Sequence, residues 1–112
     1  MTKSSLDNLQ QRLGYEFKSI KKLETALTHS SVGKSRNYER LEFLGDRVLG
    51  LVIADILYDT FPEENEGDLA KRHAALVQGR TVAQVAIQID LGKFMILSDA
   101  ERAAGFHIEG EL

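Results

Sequence analysis

The sequence predicts an all-α domain, and three observations support this prediction. The only proline in the 112 residues stands at position 62, so long stretches of the chain carry no helix breaker. Apolar residues recur at helical spacing along almost the whole chain. The one candidate strand, at 93–97, is too short and too isolated to form a sheet. We therefore expect helices packed on one another in a single domain, 1–112.

The first two helices are predicted from the spacing of their apolar residues. The first is defined by leucines three and four residues apart, Leu6, Leu9 and Leu13. Gly14 is suited to end this helix because glycine readily adopts the left-handed conformation. A second apolar stripe covers 20–27, and 32–36 is predicted to be a loop.

The longest predicted helix begins near Asn37, a candidate N-cap, and ends at Phe61, because Pro62 cannot continue it. Its second half, 48–57, is apolar on nearly every side, which is typical of a central, buried helix. An acidic loop is predicted over 63–67.

Three shorter helices are predicted after that loop. Two of them cover about 68–77 and 81–89. The third covers 98–105, because Ser98 and Glu101 have the spacing of a capping box.

The composition limits the classes of protein to consider. Apolar residues make up 43% and charged residues 28% of the chain, as in a globular protein. No apolar run is long enough to cross a membrane, and the polar N-terminus lacks the apolar stretch of a signal peptide, so we expect a cytoplasmic protein. The absence of cysteine excludes disulfides and thiolate zinc sites. The sequence contains no glycine-rich phosphate loop, so we expect no nucleotide cofactor. A metal would need carboxylate, imidazole or water ligands.

The charge distribution is uneven, although the net charge is only −3. Residues 1–37 contain seven basic and three acidic residues, and the remainder is strongly acidic. This pattern is compatible with a phosphate-binding surface beside a carboxylate cluster. It is equally compatible with ordinary solvated faces, and charge alone leaves both interpretations open.

A carboxylate stripe stands at the start of the long helix. Three carboxylates, Glu39, Glu42 and Asp46, fall on one narrow face of a helical wheel. Next to it lies an apolar face of Leu41, Leu44 and Val48, so we expect the carboxylates to border the core. A like-charge pair four residues apart is slightly destabilising, and a mid-helix glycine, residue 45, costs roughly 1 kcal/mol relative to alanine.

Both costs are understandable if a divalent cation such as Mg²⁺ approaches this face, since hard oxygen ligands suit it. The alternative is an acidic first turn that the helix dipole favours on a solvated helix.

A longer pattern around this stripe identifies a family. Residues 39–46 read Glu-Arg-Leu-Glu-Phe-Leu-Gly-Asp, which resembles the signature of the ribonuclease III family almost without a gap. The resemblance extends over essentially the whole chain, through the segments 13–17, 26–31, 66–69, 75–77, 91–92 and 98–105. It implies a helical endonuclease domain that cleaves double-stranded RNA by phosphodiester hydrolysis with Mg²⁺, or Mn²⁺, as cofactor.

The resemblance also assigns roles to individual residues. Glu42 matches a direct metal ligand, and Asp46 matches a ligand or a residue that orients metal-bound water. Glu39 and Glu66 match two further acidic positions that lie toward the RNA and the partner subunit; the alternative is that they are ordinary surface acids. Phe43 matches an aromatic residue that inserts into the partner of a symmetric homodimer, with ordinary core packing as the alternative.

The end of the chain departs from the family pattern. The family has a second carboxylate pair, in an Asp-x-x-Glu-Ala arrangement on a later helix, and 110–112 resembles the approach to that helix. We therefore expect a catalytic domain that is incomplete at its C-terminus, without a double-stranded-RNA-binding domain and inactive by itself. The alternative is a non-catalytic relative that dimerises or binds RNA and has kept the helix signature.

The histidines are expected to have lesser roles. His29 is expected to be structural, and His73 to belong to a solvated basic face with Lys71 and Arg72.

Overall fold

The computed structural model describes the backbone of residues 3–33 and 37–106, and their side chains from residue 5 onward. Within this part, the structure is helical and contains no strand, which confirms the all-α prediction. Two short 3₁₀ turns, Ser30–Val32 and Leu91–Phe94, connect the helices. The α-helices are α1 (Lys3–Leu13), α2 (Ile20–Leu27), α3 (Glu39–Thr60), α4 (Glu66–Val77), α5 (Gly79–Gln88) and α6 (Asp99–Ala103).

The hydrophobic core joins α1 and α2 to the second 3₁₀ turn. The side chains that it buries are Leu6, Leu9, Leu23, Leu27 and Phe94. The first four follow the predicted helical stripes, and α1 ends where predicted because Gly14 adopts a φ of +67°.

A small backbone junction fixes the entrance to α3. The amide of Ile96 donates to the carbonyl of Leu27 at 2.9 Å, and the amide of His29 donates to the carbonyl of Ile96 at 2.8 Å. The carbonyl of Thr28, between them, accepts a hydrogen bond from the amide of Tyr38 at 2.9 Å. Thr28 and Ile96 therefore form an isolated parallel bridge rather than a strand pair.

Asn37 acts at the start of α3, one residue earlier than a conventional cap. Its side-chain oxygen accepts a hydrogen bond from the amide of Glu39 at 2.9 Å, and its amide group donates to the carbonyl of Gly33 at 2.7 Å. Tyr38 is the cap by backbone conformation, although its side chain makes no capping bond. The helix ends before Pro62, as predicted.

The prediction that α3 is buried along its apolar half is wrong for the described residues. Leu51 is 71% exposed, Val48 is 51% exposed, and Val52 and Ile56 are also exposed. Only Leu57 is fully buried on this helix. The apolar surface of α3 is larger than the area that α2 and α4 cover, so most of its apolar face remains exposed.

The turn from α3 to α4 is held by one arginine. Arg72 donates two hydrogen bonds of 2.7 Å to the two carboxylate oxygens of Glu64, and its guanidinium lies 3.7 Å from the centroid of the Phe61 ring. The ion pair lowers the pKa of Glu64 below its ordinary value, chiefly through the hydrogen bonds from Arg72. Helix α4 begins at Glu66, two residues earlier than predicted, because the side chain of Asn65 caps it.

His73 contacts α3 rather than a solvated basic face, so this expectation is wrong. It is partly buried, and its Nε2 lies 2.8 Å from the carbonyl oxygen of Gly50. The imidazole thus bridges α4 to the middle of α3.

The last two helices begin near the predicted positions. Helix α5 starts at Gly79, two residues before the predicted start. Ser98 caps α6 by accepting a hydrogen bond from the amide of Glu101, but its own amide donates to Ser31 Oγ at 3.2 Å instead of to Glu101. The second half of the capping box is therefore replaced by a contact to the first 3₁₀ turn. Gly105 ends this segment with a φ of +78°. In the described part of the chain, no helix is both long and apolar enough to cross a membrane.

The Glu64–Arg72 pair predicts an acid-dependent part of the stability. Because the folded-state pKa of Glu64 is lowered, its contribution is fully present above the ordinary value of 4.5 and is lost as pH falls through the folded-state pKa. Glu64→Gln should therefore lower the free energy of unfolding, measured by urea denaturation, at pH 7 more than at pH 3. Glu63→Gln is the control for the loss of one charge from the same turn. An equal effect of Glu64→Gln at both pH values would contradict this account.

Candidate metal and nucleic-acid site

Two of the predicted ligands line one cavity. Glu42 and Asp46, one helical turn apart on α3, line a cavity of about 1040 Å³ together with Gly45 between them. Both carboxylates are exposed at this wall. The rigid helix therefore presents four carboxylate oxygens from one side.

The remaining walls of the cavity come mostly from elements that are distant in sequence from Glu42 and Asp46. An aromatic edge is formed by His29, Tyr38 and Phe106, and the ring of His29 lies 5.8 Å from that of Tyr38 and 5.3 Å from that of Phe106. The floor is apolar and built from small and branched side chains of α3, α5 and the second 3₁₀ turn, namely Leu49, Val82, Ala83, Ala86, Leu91 and Met95.

His29 serves the structure, as the sequence analysis expected. Its Nδ1 accepts a hydrogen bond from the amide of Ser31 at 3.0 Å, which caps the first 3₁₀ turn. With its ring packed between Tyr38 and Phe106, it ties the start of α3 to the end of α6.

Glu101 is a cavity residue that the sequence analysis did not single out. It lies on α6, is partly buried, and lines the same cavity as Glu42 and Asp46. Its capping-box spacing drew attention to the helix and not to its carboxylate. Glu101 reaches the cavity because α6 contacts the first 3₁₀ turn. Sequence spacing does not reveal this contact, so no signal in the sequence would have identified the residue.

Glu39 and Glu66 are not brought to the cavity wall. Each is exposed at the first turn of its helix, α3 and α4 respectively, where the helix dipole favours a carboxylate. Glu66 stands on the helix rather than in the acidic loop where the sequence placed it. The structure leaves open both the surface-acid interpretation of these residues and the role that the resemblance assigns to them.

Phe43 and Leu44 point away from a core. Phe43 is 63% exposed, which removes core packing as the explanation of this residue in the described part of the chain. Leu41 is partly buried, but Leu44 and Val48 are more than half exposed, so the expectation that this face borders a core is wrong for the latter two residues. The carboxylates of Glu42 and Asp46 border a cavity instead.

The donor chemistry at the cavity wall fits a hydrated divalent cation. Mg²⁺ accepts one or two carboxylates and keeps several waters, and Glu42 and Asp46 supply such oxygens. Across 3–33 and 37–106, no group of three or more His, Cys, Asp or Glu side chains converges as a metal site, so Glu101 shares the cavity without joining the other two acids in a cluster. Residues 110–112, which resemble the approach to a further helix, lie outside the described residues.

Comparisons with known proteins agree on one family. A family model described as ribonuclease-III-like matches residues 20–109. Ribonuclease 3 of Alcanivorax borkumensis is 49% identical over 100 residues, which make up 89% of this chain and 44% of that protein. Ribonuclease 3 of Acinetobacter baylyi is 47% identical over 106 residues, or 95% of this chain and 46% of that protein. The chain thus spans less than half the length of these relatives.

Two solved structures of the nuclease domain of Campylobacter jejuni ribonuclease III share the fold. One, described as showing structural flexibility in a region involved in dimer formation, has a TM-score of 0.84 and 48% identity, and covers 89% of this chain and 70% of its own. The other, a crystal structure, has a TM-score of 0.84 and 47% identity, and covers 94% of this chain and 70% of its own.

Gly45 offers a direct test of the open cavity wall. A Cβ at this position would meet no atom within 4 Å, so Gly45→Ala should raise the free energy of unfolding by roughly 0.5–1 kcal/mol through helix propensity. Gly14→Ala is the matched control and should lower it by about 1 kcal/mol, because its φ is +67°. Urea denaturation followed by circular dichroism measures both. A destabilised Gly45→Ala would show that the wall is closed in solution.

Proposed function

The chain belongs to the ribonuclease III family, and we propose that it forms the nuclease part of a metal-dependent endoribonuclease that cleaves double-stranded RNA. The observation that carries this proposal is the pair of carboxylates, Glu42 and Asp46, on one wall of the cavity. They stand within the segment that most resembles the family signature, on a helix that holds them one turn apart.

Glu42 and Asp46 are the residues that would hold the cation, Mg²⁺ or Mn²⁺. When bound, the cation supplies an activated water and stabilises negative charge on the phosphodiester oxygens. The helix fixes the spacing of the two carboxylates, and the apolar floor of the cavity limits water on the side facing the protein. Asp46 would either hold the cation directly or orient a water beside it. No side-chain nucleophile is needed for such a hydrolysis.

The RNA is proposed to be recognised by its shape and backbone. Duplex RNA is read mainly through phosphates and 2′-hydroxyls. Exposed lysines on and before α2, at positions 18, 21 and 22, offer positive charge for phosphates. Glu39 and Glu66, at the starts of α3 and α4, are proposed to lie toward the RNA and the partner subunit.

The active form is proposed to be a homodimer that meets through α3. Phe43 stands at the exposed face of this helix, directly after the proposed ligand Glu42. The exposed apolar residues Leu44, Val48 and Leu51 continue this face along the helix. Burial of such a patch favours self-association. The Campylobacter nuclease domain, described with a region involved in dimer formation, supports dimer formation but does not identify the helix involved.

The first prediction for this function concerns the complete gene product. It should cleave duplex RNA only in the presence of Mg²⁺ or Mn²⁺, and Glu42→Gln and Asp46→Asn should each abolish cleavage while preserving the thermal unfolding midpoint. An amide retains the shape of the carboxylate and removes the charge that a cation requires. Gel analysis of a labelled duplex, with and without EDTA, measures the effect.

Asp59→Asn is the matched control, because it removes a carboxylate near the far end of the same helix. Cleavage that persists in excess EDTA, or in either ligand variant, would contradict the assignment. We expect the 112-residue chain alone to bind Mg²⁺ weakly and to be inactive as a nuclease, because two carboxylates from one helix contact a cation from one side only. Efficient cleavage by this chain would show that no further carboxylates are needed. RNA binding without cleavage by the complete gene product would favour the non-catalytic alternative.

The second prediction concerns self-association. Sedimentation equilibrium should show a dimer of the wild-type chain, and Phe43→Ala should shift it toward monomer by at least tenfold in dissociation constant, as expected for a buried aromatic anchor. Tyr15→Ala, which removes an exposed aromatic side chain outside α3, should leave the dissociation constant unchanged. A wild-type monomer, or an equal effect of both variants, would remove the case for Phe43 as an interface residue.

A further inference from the structure

One side chain connects the candidate metal ligand to the candidate interface residue. Arg47 Nη1 lies 3.3 Å from Asp46 Oδ2, and its guanidinium carbon lies 4.1 Å from the centroid of the Phe43 ring. Phe43 and Arg47 are four residues apart and therefore adjacent on the surface of α3. The positive charge of Arg47 is thus held between a carboxylate and an aromatic face.

We propose that Arg47 is an internal counter-ion of Asp46 that weakens the binding of a divalent cation and links cation binding to the covering of Phe43. This inference rests on the proposed function, because it assumes that Asp46 belongs to the cation site. It assigns to Arg47 a positioning role and no contact with substrate.

Arg47 competes with a cation for the carboxylate of Asp46. A guanidinium at 3.3 Å engages one oxygen of this carboxylate and places a positive charge beside any cation that binds there. Both side chains are more than 60% exposed, so water screens the interaction and its effect is modest. Removal of the charge should raise cation affinity about two- to fivefold at low salt, and less at high salt.

The Phe43 ring influences where the Arg47 guanidinium lies. A cation over an aromatic face is attracted by the ring quadrupole, so Phe43 helps to keep Arg47 beside Asp46. A partner that covers Phe43 competes for the same face of the ring and releases the guanidinium. Cation binding and the covering of Phe43 therefore favour the same position of Arg47, away from Asp46. By linkage, each should strengthen the other by the same factor.

The experiment is a titration of the complete gene product with Mn²⁺, followed by electron paramagnetic resonance. At protein concentrations low enough to keep it monomeric, Arg47→Gln should bind Mn²⁺ about two- to fivefold more tightly than the wild type at low salt. Arg47→Lys keeps the charge and should remain close to the wild type. Arg40→Gln, which removes an exposed positive charge two turns earlier on the same helix, is the control for general electrostatics.

A second measurement tests the link to the interface. Saturating Mn²⁺ should tighten the wild-type dimer about two- to fivefold in sedimentation equilibrium and should have no such effect on Arg47→Gln. If Arg47→Gln and Arg40→Gln change Mn²⁺ affinity equally, the inference about Arg47 is wrong. If Glu42→Gln and Asp46→Asn leave Mn²⁺ affinity unchanged, or if no protein binds Mn²⁺, the proposed cation site itself fails. Loss of binding in those two variants with no effect of Arg47→Gln overturns only the role of Arg47.

Discussion

Backbone hydrogen bonds around Thr28 determine where α3 begins, and the candidate site depends on that starting point. The carbonyl of Thr28 accepts a hydrogen bond from the amide of Tyr38, while its neighbours Leu27 and His29 bond to Ile96. Thr28 is buried, so its carbonyl would be left without a hydrogen-bond partner if Tyr38 moved away. The junction therefore locks the end of α2, the start of α3 and the segment after Phe94 to one another.

The position of the cavity follows from this junction. His29 leaves it toward Tyr38 and Phe106, and the first 3₁₀ turn, which His29 caps, accepts the amide of Ser98 through Ser31. These contacts place α6 and its Glu101 at the same cavity as α3, although the two helices are far apart in the sequence. A local motif at 39–46 therefore becomes a site only because distant segments are tied to its N-terminal end.

The sequence predicted the elements better than their surroundings. Helix ends marked by Gly14, Pro62 and Ser98 were predicted correctly, since each has a local steric or capping cause. The start of α4 was predicted two residues late because Asn65 caps it, and an acidic run masked that signal. The periodicity predicted that α3 is hydrophobic, but periodicity does not say whether another element covers a given face. His73 was misjudged for the same reason, because its partner, the carbonyl of Gly50, belongs to another helix.

The first half of α3 departs from local helix rules at several neighbouring positions. It combines a like-charge pair, a glycine and exposed apolar side chains, each of which a helix selected for stability alone would avoid. Such departures are expected where function, rather than folding, selects the residues. The like-charge pair and the glycine together cost about 1.5 kcal/mol, which is a noticeable part of the stability of a small domain.

The fold tolerates this cost because α3 is held at both ends and in the middle. Asn37 fixes its first turn, Arg72 fixes the turn that follows it through Glu64 and Phe61, and His73 bonds to its centre. Each of these contacts lies away from the cavity wall. Three residues of α3 that line the cavity, Glu42, Gly45 and Asp46, therefore need no structural role, so two carboxylates and a glycine can stand there side by side. A helix anchored in this way moves as one body, and the spacing between its two candidate ligands stays constant whatever covers its exposed apolar face.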